Sequence, residues 1–249
     1  MLQKNLIIIP VRMASTRLPN KPMADIAGQT MIERVYRQAL KANVADVLIA
    51  CDGKEIANEA QRIKANFIIT DPDLPSGTDR IYSALEQYQL SSNQQFSLII
   101  NLQGDLPDID PEVIVSAVEL AQNSDFDITT VATVIKDPSQ ITNPNIVKIA
   151  LSQDHRALYF SRSPIPYSKD NAGQYLHHIG IYVYKISALK KFVKLPVSPL
   201  EKRESLEQLR ALENNLSIGV KIVENHPLSV DTADDLAIVN QLIKQRQNQ

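Results

Sequence analysis

Residues 6–22 read Leu6-Ile7-Ile8-Ile9-Pro10-Val11-Arg12-Met13-Ala14-Ser15-Thr16-Arg17-Leu18-Pro19-Asn20-Lys21-Pro22. The apolar run at 6–9 suits a strand buried on both faces of a parallel sheet, and a run with helical spacing follows at 31–40. A basic loop between a strand and a helix is a usual anion site in α/β proteins, because ligands bind beyond the carboxyl ends of parallel strands. No acid occurs between Leu6 and Met23. The loop therefore predicts a triphosphate cradle, with an ordinary exposed basic loop as the alternative; its cations are Arg12, Arg17 and Lys21.

Composition places the chain among globular proteins with one sizeable domain or a domain with an added lobe. It has 249 residues, of which 44% are apolar and 22% charged. A net charge of −2 argues against non-specific nucleic-acid binding, so we expect no nucleic-acid partner. No segment has the roughly 20 apolar residues of a membrane span, and no signal-peptide pattern precedes the first strand. We expect a cytoplasmic protein without membrane insertion, whose single cysteine, Cys51, is a buried thiol.

Strand-like and helix-like runs alternate through the first half at the rhythm of βαβ units. Strands are predicted at 6–9, 46–50, 66–70, 97–102, 127–135, 146–151, 179–184 and 218–223. Helices are predicted at 31–40, 55–64, 79–89, from Pro111 onward, 200–212 and 232–245. This pattern predicts an α/β fold with a mostly parallel sheet flanked by helices. We assign about 1–142 and 217–249 to a nucleotide-binding core and about 143–216 to a smaller, mixed lobe.

Two aspartates are candidate Mg²⁺ ligands. Asp105 follows Gly104 just after a predicted strand, at the edge of the sheet where the basic loop lies. Mg²⁺ commonly takes one or two carboxylates together with substrate phosphate oxygens. Asp231 precedes the last predicted helix, where an alternative role is to cap that helix. Each residue alone is a weak signal.

Other polar stretches leave two interpretations open. The loop around Ser76 and Gly77 offers N–H groups and hydroxyls to a nucleobase, or else Thr78 caps the next helix. Arg162 has the fork geometry that binds a carboxylate in two places. The neighbouring histidines at 177 and 178 would point to opposite faces of a strand and would not chelate one metal. For Glu207 and Arg210 the alternative is a solvated helical face.

Taken together and in order, these stretches resemble the 3-deoxy-manno-octulosonate cytidylyltransferases, the CMP-Kdo synthetases of Gram-negative bacteria. The resemblance covers nearly the whole chain. It is carried by residues 8–22, Ser76-Gly77-Thr78-Asp79-Arg80, Asn101-Leu102-Gln103-Gly104-Asp105, Ala157-Leu158-Tyr159-Phe160-Ser161-Arg162, His178-Ile179-Gly180-Ile181-Tyr182, Leu206-Glu207-Gln208-Leu209-Arg210 and Val230-Asp231-Thr232.

The resemblance implies a glycosyltransferase-A-like fold, with the smaller lobe binding the sugar and forming a homodimer. It implies transfer of CMP from CTP to 3-deoxy-manno-octulosonate (Kdo), with Mg²⁺, for lipopolysaccharide synthesis. Arg12 and Lys21 would hold the triphosphate and act in catalysis with the metal ligands Asp105 and Asp231. Nucleotide contacts would also come from Arg17, Ser76 and Gly77 at the cytosine and Gln103 at the ribose. Sugar contacts would come from Arg162, His178, Tyr182, Glu207 and Gln208.

Two departures from the family pattern limit what the resemblance implies. Leu106 stands where the family commonly has Glu after the Gly-Asp pair, and the chain is shorter before His178 than in many relatives. The sugar could therefore be Kdo or a variant such as its 8-amino analogue. Another acid sugar, such as a sialic acid, is a separate alternative, against which the stretches at 178–182 and 206–210 favour Kdo. Two different functions compete with sugar activation: a glycosyltransferase that uses a finished nucleotide sugar, and a silent CTP-binding regulator. The dense cationic loop argues against the first and the two aspartates argue against the second.

Overall fold

The structure is a computed structural model that describes residues 4–14, 17–169, 173–224 and 227–247. Its strands in chain order are β1 (Lys4–Val11), β2 (Asp25–Ile26), β3 (Gln29–Thr30), β4 (Asp46–Cys51), β5 (Asn66–Ile69), β6 (Phe96–Asn101), β7 (Ile128–Val134), β8 (Lys148–Leu151), β9 (Ala157–Ser161), β10 (Leu176–Lys185) and β11 (Ile218–Ile222). Its α-helices are α1 (Met31–Ala42), α2 (Lys54–Arg62), α3 (Gly77–Ser92), α4 (Pro111–Gln122), α5 (Ile186–Phe192), α6 (Pro199–Glu204), α7 (Leu209–Glu213) and α8 (Ala233–Gln247).

The chain divides into two compact units. The first comprises Met1–Ile114 and Pro227–Gln249, and the second comprises Val115–His226. The sequence places the boundaries near 142 and 217 instead. β7 and β11 fall in the second unit because β7 pairs along its length with β10 and with β11.

The first unit contains a parallel sheet in the order β6-β1-β4-β5. The central strand β1 carries Leu6, Ile7, Ile8 and Ile9, none of which has any solvent exposure, as the apolar run predicts. The helices α1, α2 and α3 pack against these strands. This arrangement brings the carboxyl ends of β1 and β6 to one edge of the sheet, where the basic loop and Asp105 follow.

The last helix returns to the first unit and fixes the segment before it. Ile26, Met31, Val230, Val239 and Ile243 form one buried apolar cluster. The backbone N–H of Val230 donates to the carbonyl oxygen of Asp105 at 2.9 Å. Asp231 is therefore held beside Asp105, although more than a hundred residues separate them in the sequence.

The second unit is mixed, as predicted. β11 runs parallel to β7, whereas β7 with β10, β10 with β8 and β8 with β9 are antiparallel. The helices α5, α6 and α7 complete it.

Several elements differ from the sequence predictions. The strand β9, the helix α5 and the short β2–β3 pair are absent from those predictions. The helix predicted at 200–212 is broken, because Ser205 adopts a left-handed conformation with φ of 54° and ends α6. α3 begins at Gly77 because Ser76, and not Thr78, caps it.

The α/β class and the largely parallel sheet of the first unit are confirmed. Among the described residues, the structure has no helix with both the length and the apolar character needed to cross a bilayer.

Candidate functional site

A cavity of about 360 Å³ lies at the carboxyl ends of β1 and β6 in the first unit. All eight residues that the sequence assigns to the nucleotide and metal line it: Arg12, Arg17, Lys21, Ser76, Gly77, Gln103, Asp105 and Asp231. The structure thus brings together residues from four separate segments of the chain. Ser15 and Thr16 of the basic loop lie outside the described residues.

Gly104 allows the two strand ends to approach closely at this cavity. A Cβ atom at that position would lie 3.2 Å from the carbonyl oxygen of Pro10 and 3.3 Å from Cγ2 of Val11. Both contacts are tighter than ordinary packing, and the nearer one is to main chain. A side chain at Gly104 would therefore push the Asp105 loop away from β1.

Lys21 is the electrostatic centre of the cavity. Its ammonium donates to Oδ2 of Asp105 and to Oδ1 of Asp231, both at 2.9 Å. Arg17 pairs with the same Asp231 oxygen at 3.0 Å. Burial by itself lowers the pKa of Lys21, but the hydrogen bonds and charges of the two carboxylates outweigh it and raise this pKa above its ordinary value. Lys21 is therefore a cation at neutral pH.

The capping role considered for Asp231 belongs to its neighbours. Oγ1 of Thr232, just before α8, accepts from the N–H of Asp235 at 3.2 Å. The Asp235 carboxylate in turn accepts from the N–H groups of Asp231 and Thr232. The helix is thus capped reciprocally by Thr232 and Asp235. The side chain of Asp231 is left to Lys21 and Arg17.

Asp105 and Asp231 have the chemistry of a Mg²⁺ site. One oxygen of each pairs with the Lys21 ammonium, which lies between them, and the Asp231 oxygen also pairs with Arg17. Within the described residues there is no group of three or more His, Cys, Asp or Glu side chains that could hold a metal ion. Two carboxylates suit Mg²⁺ because this ion usually takes its remaining ligands from water and substrate phosphates. The residues therefore fit the ion, with Lys21 in competition for the same oxygens.

The other residues that the sequence assigns to the nucleotide also lie at this cavity. The hydroxyl of Ser76 accepts from the N–H of Asp79 and donates to its carboxylate, so this side chain is engaged at the start of α3. Gln103 donates to Asn101 at 3.2 Å. Arg12 lines the cavity and is exposed. Arg17 contacts Asp231 in this structure rather than the Ser76 loop.

Sequence reasoning assigned no role to Arg80, which also lines the cavity. Its side chain is almost fully buried and donates to Oγ1 of Thr70 and to the carbonyl oxygens of Asp71 and Pro72. Arg80 therefore fixes the loop that forms one wall. The available signal was its place directly after the Ser76-Gly77 loop.

In the second unit, Arg162 is held by main chain on several sides. Its guanidinium donates to the carbonyl oxygens of Glu204, Pro144 and Ser205 at 2.8, 2.9 and 3.3 Å. Its own N–H donates to the Glu204 carboxylate at 3.0 Å. Within the described residues, three of the five guanidinium N–H groups are used in this way.

A fully buried lysine supports the same segment and has no signal in the sequence. Lys148 donates to the carbonyl oxygens of Asn143, Ile146 and Arg162 at 2.9, 2.6 and 2.6 Å. Burial, followed by the nearby charge of Arg162, lowers the pKa of Lys148. All three ammonium hydrogens have an acceptor, which is the condition for burying this group.

His178 is buried in an aromatic environment. Its ring packs edge-on against Phe160 at 4.9 Å between centroids and lies 5.4 Å from the Tyr182 ring. Burial, and to a smaller extent the charge of His177, lowers the pKa of His178 to about 3. Burial is also the main cause that raises the pKa of Tyr182, with smaller effects from Tyr184 and Glu207. Both residues are therefore neutral at pH 7 and present hydrogen-bonding groups without charge.

The solvated-face alternative for the segment around 207 is wrong for Arg210, which is buried. Its guanidinium forms a two-point ion pair with Glu201 and lies 4.9 Å above the Phe192 ring. Gln208 is also buried, whereas Glu207 is half-buried. Arg210 thus joins α6 to α7, and the neighbouring Glu207 and Gln208 are set on a fixed support.

Two further residues singled out in the sequence, Cys51 and Leu106, are both buried. Cys51 is buried, and burial raises the pKa of its thiol, as expected for a structural cysteine. Leu106 is buried and apolar, so it supplies no polar group beside Asp105.

Comparison with known proteins identifies relatives along nearly the whole chain. Residues 6–222 match the sequence model of the family described as "Cytidylyltransferase". The 3-deoxy-manno-octulosonate cytidylyltransferase of Rhodospirillum rubrum is 45% identical over 237 residues, which cover 93% of this chain and 92% of that protein. The enzyme of the same name from Bartonella henselae is 47% identical over 242 residues, which cover 96% and 98% of the two chains.

A solved structure gives the same result for the fold. It is that of CMP:2-keto-3-deoxy-manno-octonic acid synthetase complexed with CTP, with a TM-score of 0.90 and 36% identity. The match covers 98% of this chain and 100% of the other. The expected nucleotide-sugar transferase fold is confirmed.

Proposed function

The chain belongs to the cytidylyltransferase family and, within it, to the 3-deoxy-manno-octulosonate cytidylyltransferases; from that membership we propose that it transfers CMP from CTP to the anomeric hydroxyl of Kdo. The second product is pyrophosphate. A solved relative of high structural similarity is a complex with CTP, which supports CTP as the nucleotide here.

The observation that carries this proposal is the charge arrangement in the first-unit cavity. Lys21 is a half-buried cation between two carboxylates, and Arg12 and Arg17 line the same space. A triphosphate brings several negative charges that need such cations, and the two carboxylates accept a divalent ion that the triphosphate carries. A site for a neutral or singly charged ligand would not need both the cations and the two carboxylates.

The proposed role of each residue follows from its charge and its place in the cavity. Arg12 and Lys21 bind the triphosphate oxygens and offset charge that develops as pyrophosphate leaves. Arg17, the Ser76–Gly77 loop and Gln103 orient the nucleoside. Asp105 and Asp231 would hold Mg²⁺, which supplies Lewis-acid stabilisation of the phosphate oxygens. The anomeric hydroxyl releases its proton to solvent as its oxygen bonds to the α-phosphorus, and the bond from that phosphorus to the β-phosphate bridging oxygen breaks. No covalent enzyme intermediate is needed.

The second unit would bind the acid sugar. Main-chain oxygens hold three guanidinium N–H groups of Arg162 in place, and among the described residues its other two are open to the sugar carboxylate. His178 and Tyr182 are neutral partners for hydroxyl groups. Glu207 and Gln208 follow on the support formed by Arg210 and Glu201. A fixed carboxylate site with neutral polar neighbours suits a polyhydroxylated acid.

Finer features of the function belong to the same proposal. We place the reaction in the cytoplasm, in the pathway to lipopolysaccharide, because CMP-activated Kdo is a donor for glycan assembly. A homodimer through the second unit is supported by the exposed apolar side chains of Leu158 and Val197, each at least half exposed. Light scattering on the purified chain, and on a Leu158→Glu variant, tests the dimer.

The direct test is pyrophosphate release from CTP and Mg²⁺, with Kdo, 8-amino-Kdo and N-acetylneuraminate supplied separately. We expect release with Kdo, and the ratio to the amino analogue decides between the two sugars. Asp105→Asn is the matched control: it should retain CTP binding and lose most turnover, because it removes one metal ligand charge. CTP binding by the wild type without release from any of the three sugars would overturn the proposal in favour of a CTP-binding regulator.

A further inference from the structure

The strand β10 carries a bulge between Ile179 and Tyr182, close to His178. In its pairing with β7, Ile179 faces Val131 and Tyr182 faces Thr130, so Gly180 and Ile181 have no opposite residue. A bulge of this kind leaves carbonyl groups outside the regular ladder. Two of them, those of Ile179 and Ile181, lie 3.2 and 2.6 Å from Oγ1 of Thr130.

Thr130 has one hydroxyl hydrogen for these two acceptors. A carbonyl oxygen can only accept, so the hydrogen goes to the nearer one, that of Ile181. Thr130 has no solvent exposure, so the hydroxyl cannot turn to water instead. Its oxygen is thereby left as an acceptor.

The group that faces this acceptor is Nε2 of His178, at 3.0 Å. Because the threonine hydrogen is committed to the bulge, the hydrogen in this contact must come from the imidazole. Which nitrogen of a neutral histidine carries the proton is set by the hydrogen bond that the ring makes. The low pKa of His178 keeps the ring neutral, so it has a single N–H. Nδ1 then has a lone pair and no hydrogen.

We propose that Thr130 is a positioning residue that fixes His178 as the Nε2-protonated tautomer, so that Nδ1 accepts a hydrogen bond from a hydroxyl of the acid sugar. The sugar part of this inference rests on the proposed function, which places His178 at the sugar. A bare Nδ1 accepts from a hydroxyl and repels a carboxylate, so it orients the polyol part of the substrate. The carboxylate is left to Arg162.

The bulge includes Gly180, which belongs to the same motif as His178. Two residues without partners are needed to turn the carbonyls of Ile179 and Ile181 toward one hydroxyl, and glycine tolerates the irregular backbone of a bulge. The bulge and the tautomer of the histidine are thus linked through the single hydroxyl hydrogen of Thr130.

The first test reads the tautomer directly, on the full chain without substrate. The chain has four histidines, so protein labelled with ¹³C and ¹⁵N in histidine gives few ring signals, and His178→Gln assigns those of residue 178. We expect a protonated Nε2 and a bare Nδ1 in the wild type. Thr130→Ser keeps the hydroxyl and should keep this spectrum. Thr130→Val, which has the same shape without the hydroxyl, should shift the ring toward the Nδ1-protonated form.

The second test is kinetic and uses the same variants. Thr130→Val should raise the KM for Kdo about tenfold, the effect of one lost hydrogen bond, and leave the KM for CTP within about twofold. Thr130→Ser should restore the wild-type value. If Thr130→Val does not fold, Thr130→Ala replaces it.

The outcomes separate this inference from the proposed function. An Nδ1-protonated wild type, or a spectrum unchanged in Thr130→Val, overturns the tautomer assignment whatever the enzyme's substrate. A raised KM with an unchanged tautomer also overturns it, because packing alone would then account for the effect. A wild type that has the predicted tautomer but is inactive with every acid sugar overturns the proposed function and the sugar contact together, and leaves the Thr130–His178 assignment standing.

Discussion

Replacing Lys21 with methionine should make the apo protein bind a divalent cation more tightly. In the structure the Lys21 ammonium occupies the space between Asp105 and Asp231, donating to both at 2.9 Å. A metal ion that binds the same two carboxylates must displace this ammonium. Methionine retains the apolar stem of lysine without its charge, so it leaves the carboxylates to the metal.

The size of the effect follows from the exposure of the three groups. The Lys21 side chain is 15% exposed, and those of Asp105 and Asp231 are 30% and 35% exposed. Such pairs fall between surface ion pairs, at about 0.2–1 kcal/mol, and buried charged hydrogen bonds, at about 1.5–3 kcal/mol. Two bonds at about 1 kcal/mol each correspond to about a 30-fold change in the metal dissociation constant.

Titration with Mn²⁺ in the absence of nucleotide, followed by the electron paramagnetic resonance of the free ion, measures this change. Lys41→Met is the matched control, because Lys41 is exposed on α1 and its loss changes the net charge by the same amount. Equal Mn²⁺ affinity in Lys21→Met, Lys41→Met and the wild type would refute the competition. Turnover of Lys21→Met should fall at the same time, because the triphosphate loses a cation.

Three further predictions concern the second unit. The pKa of His178 is about 3 in the folded chain against an ordinary 6.5, so between these pH values the unfolded chain takes up a proton that the folded chain excludes. The free energy of unfolding should therefore fall as the pH drops from about 6.5 toward 3, by up to about 1.4 kcal/mol per pH unit. Urea titrations of His178→Gln should lack this slope. The groups near this ring that titrate are His177 and Tyr182, and the facing Thr130 and Phe160 do not. Lys148→Met should lower the free energy of unfolding by about 2–4 kcal/mol, because three carbonyl oxygens lose their buried donor. The control is Lys202→Met at an exposed position, which should change this free energy by less than about 0.5 kcal/mol in the same titration. Arg162→Ala should raise the KM for Kdo at least tenfold and that for CTP hardly at all, and equal changes in both would remove its assignment to the sugar carboxylate.

The grouping of the cavity residues of the first unit could be predicted because its signals are local. The apolar run of β1, the basic loop and the Gly-Asp pair after β6 each sit at a strand end, and parallel strands bring their carboxyl ends to one edge. The pairing of Lys21 with both aspartates could not be read from the sequence. It depends on the hydrogen bond from Val230 to Asp105, which joins segments far apart in the chain.

The residues proposed to bind the sugar show more clearly which contacts the sequence cannot predict. His178 was found through its motif, but Thr130 lies 48 residues away on a different strand and belongs to no motif. The role proposed for Thr130 depends on a two-residue shift in strand register, which hydrophobic periodicity cannot reveal. The break at Ser205 was missed for a related reason, because a left-handed residue inside a helical pattern has no signal unless it is glycine or asparagine.

Lys21 and Lys148 differ in the groups that accept their hydrogen bonds, and this difference leads to different expected roles. Lys21 is bound by carboxylates that are about one-third exposed and that another cation can satisfy, so the ammonium can leave them for a triphosphate. Lys148 is bound by main-chain carbonyls, and its side chain has no solvent exposure, so nothing replaces it without leaving buried acceptors unpaired. If the proposed function holds, the ammonium of Lys21 is exchanged by substrate, whereas that of Lys148 fixes the backbone at Arg162. Variants of Lys21 should accordingly change metal and nucleotide binding with little effect on stability, and variants of Lys148 should change stability first.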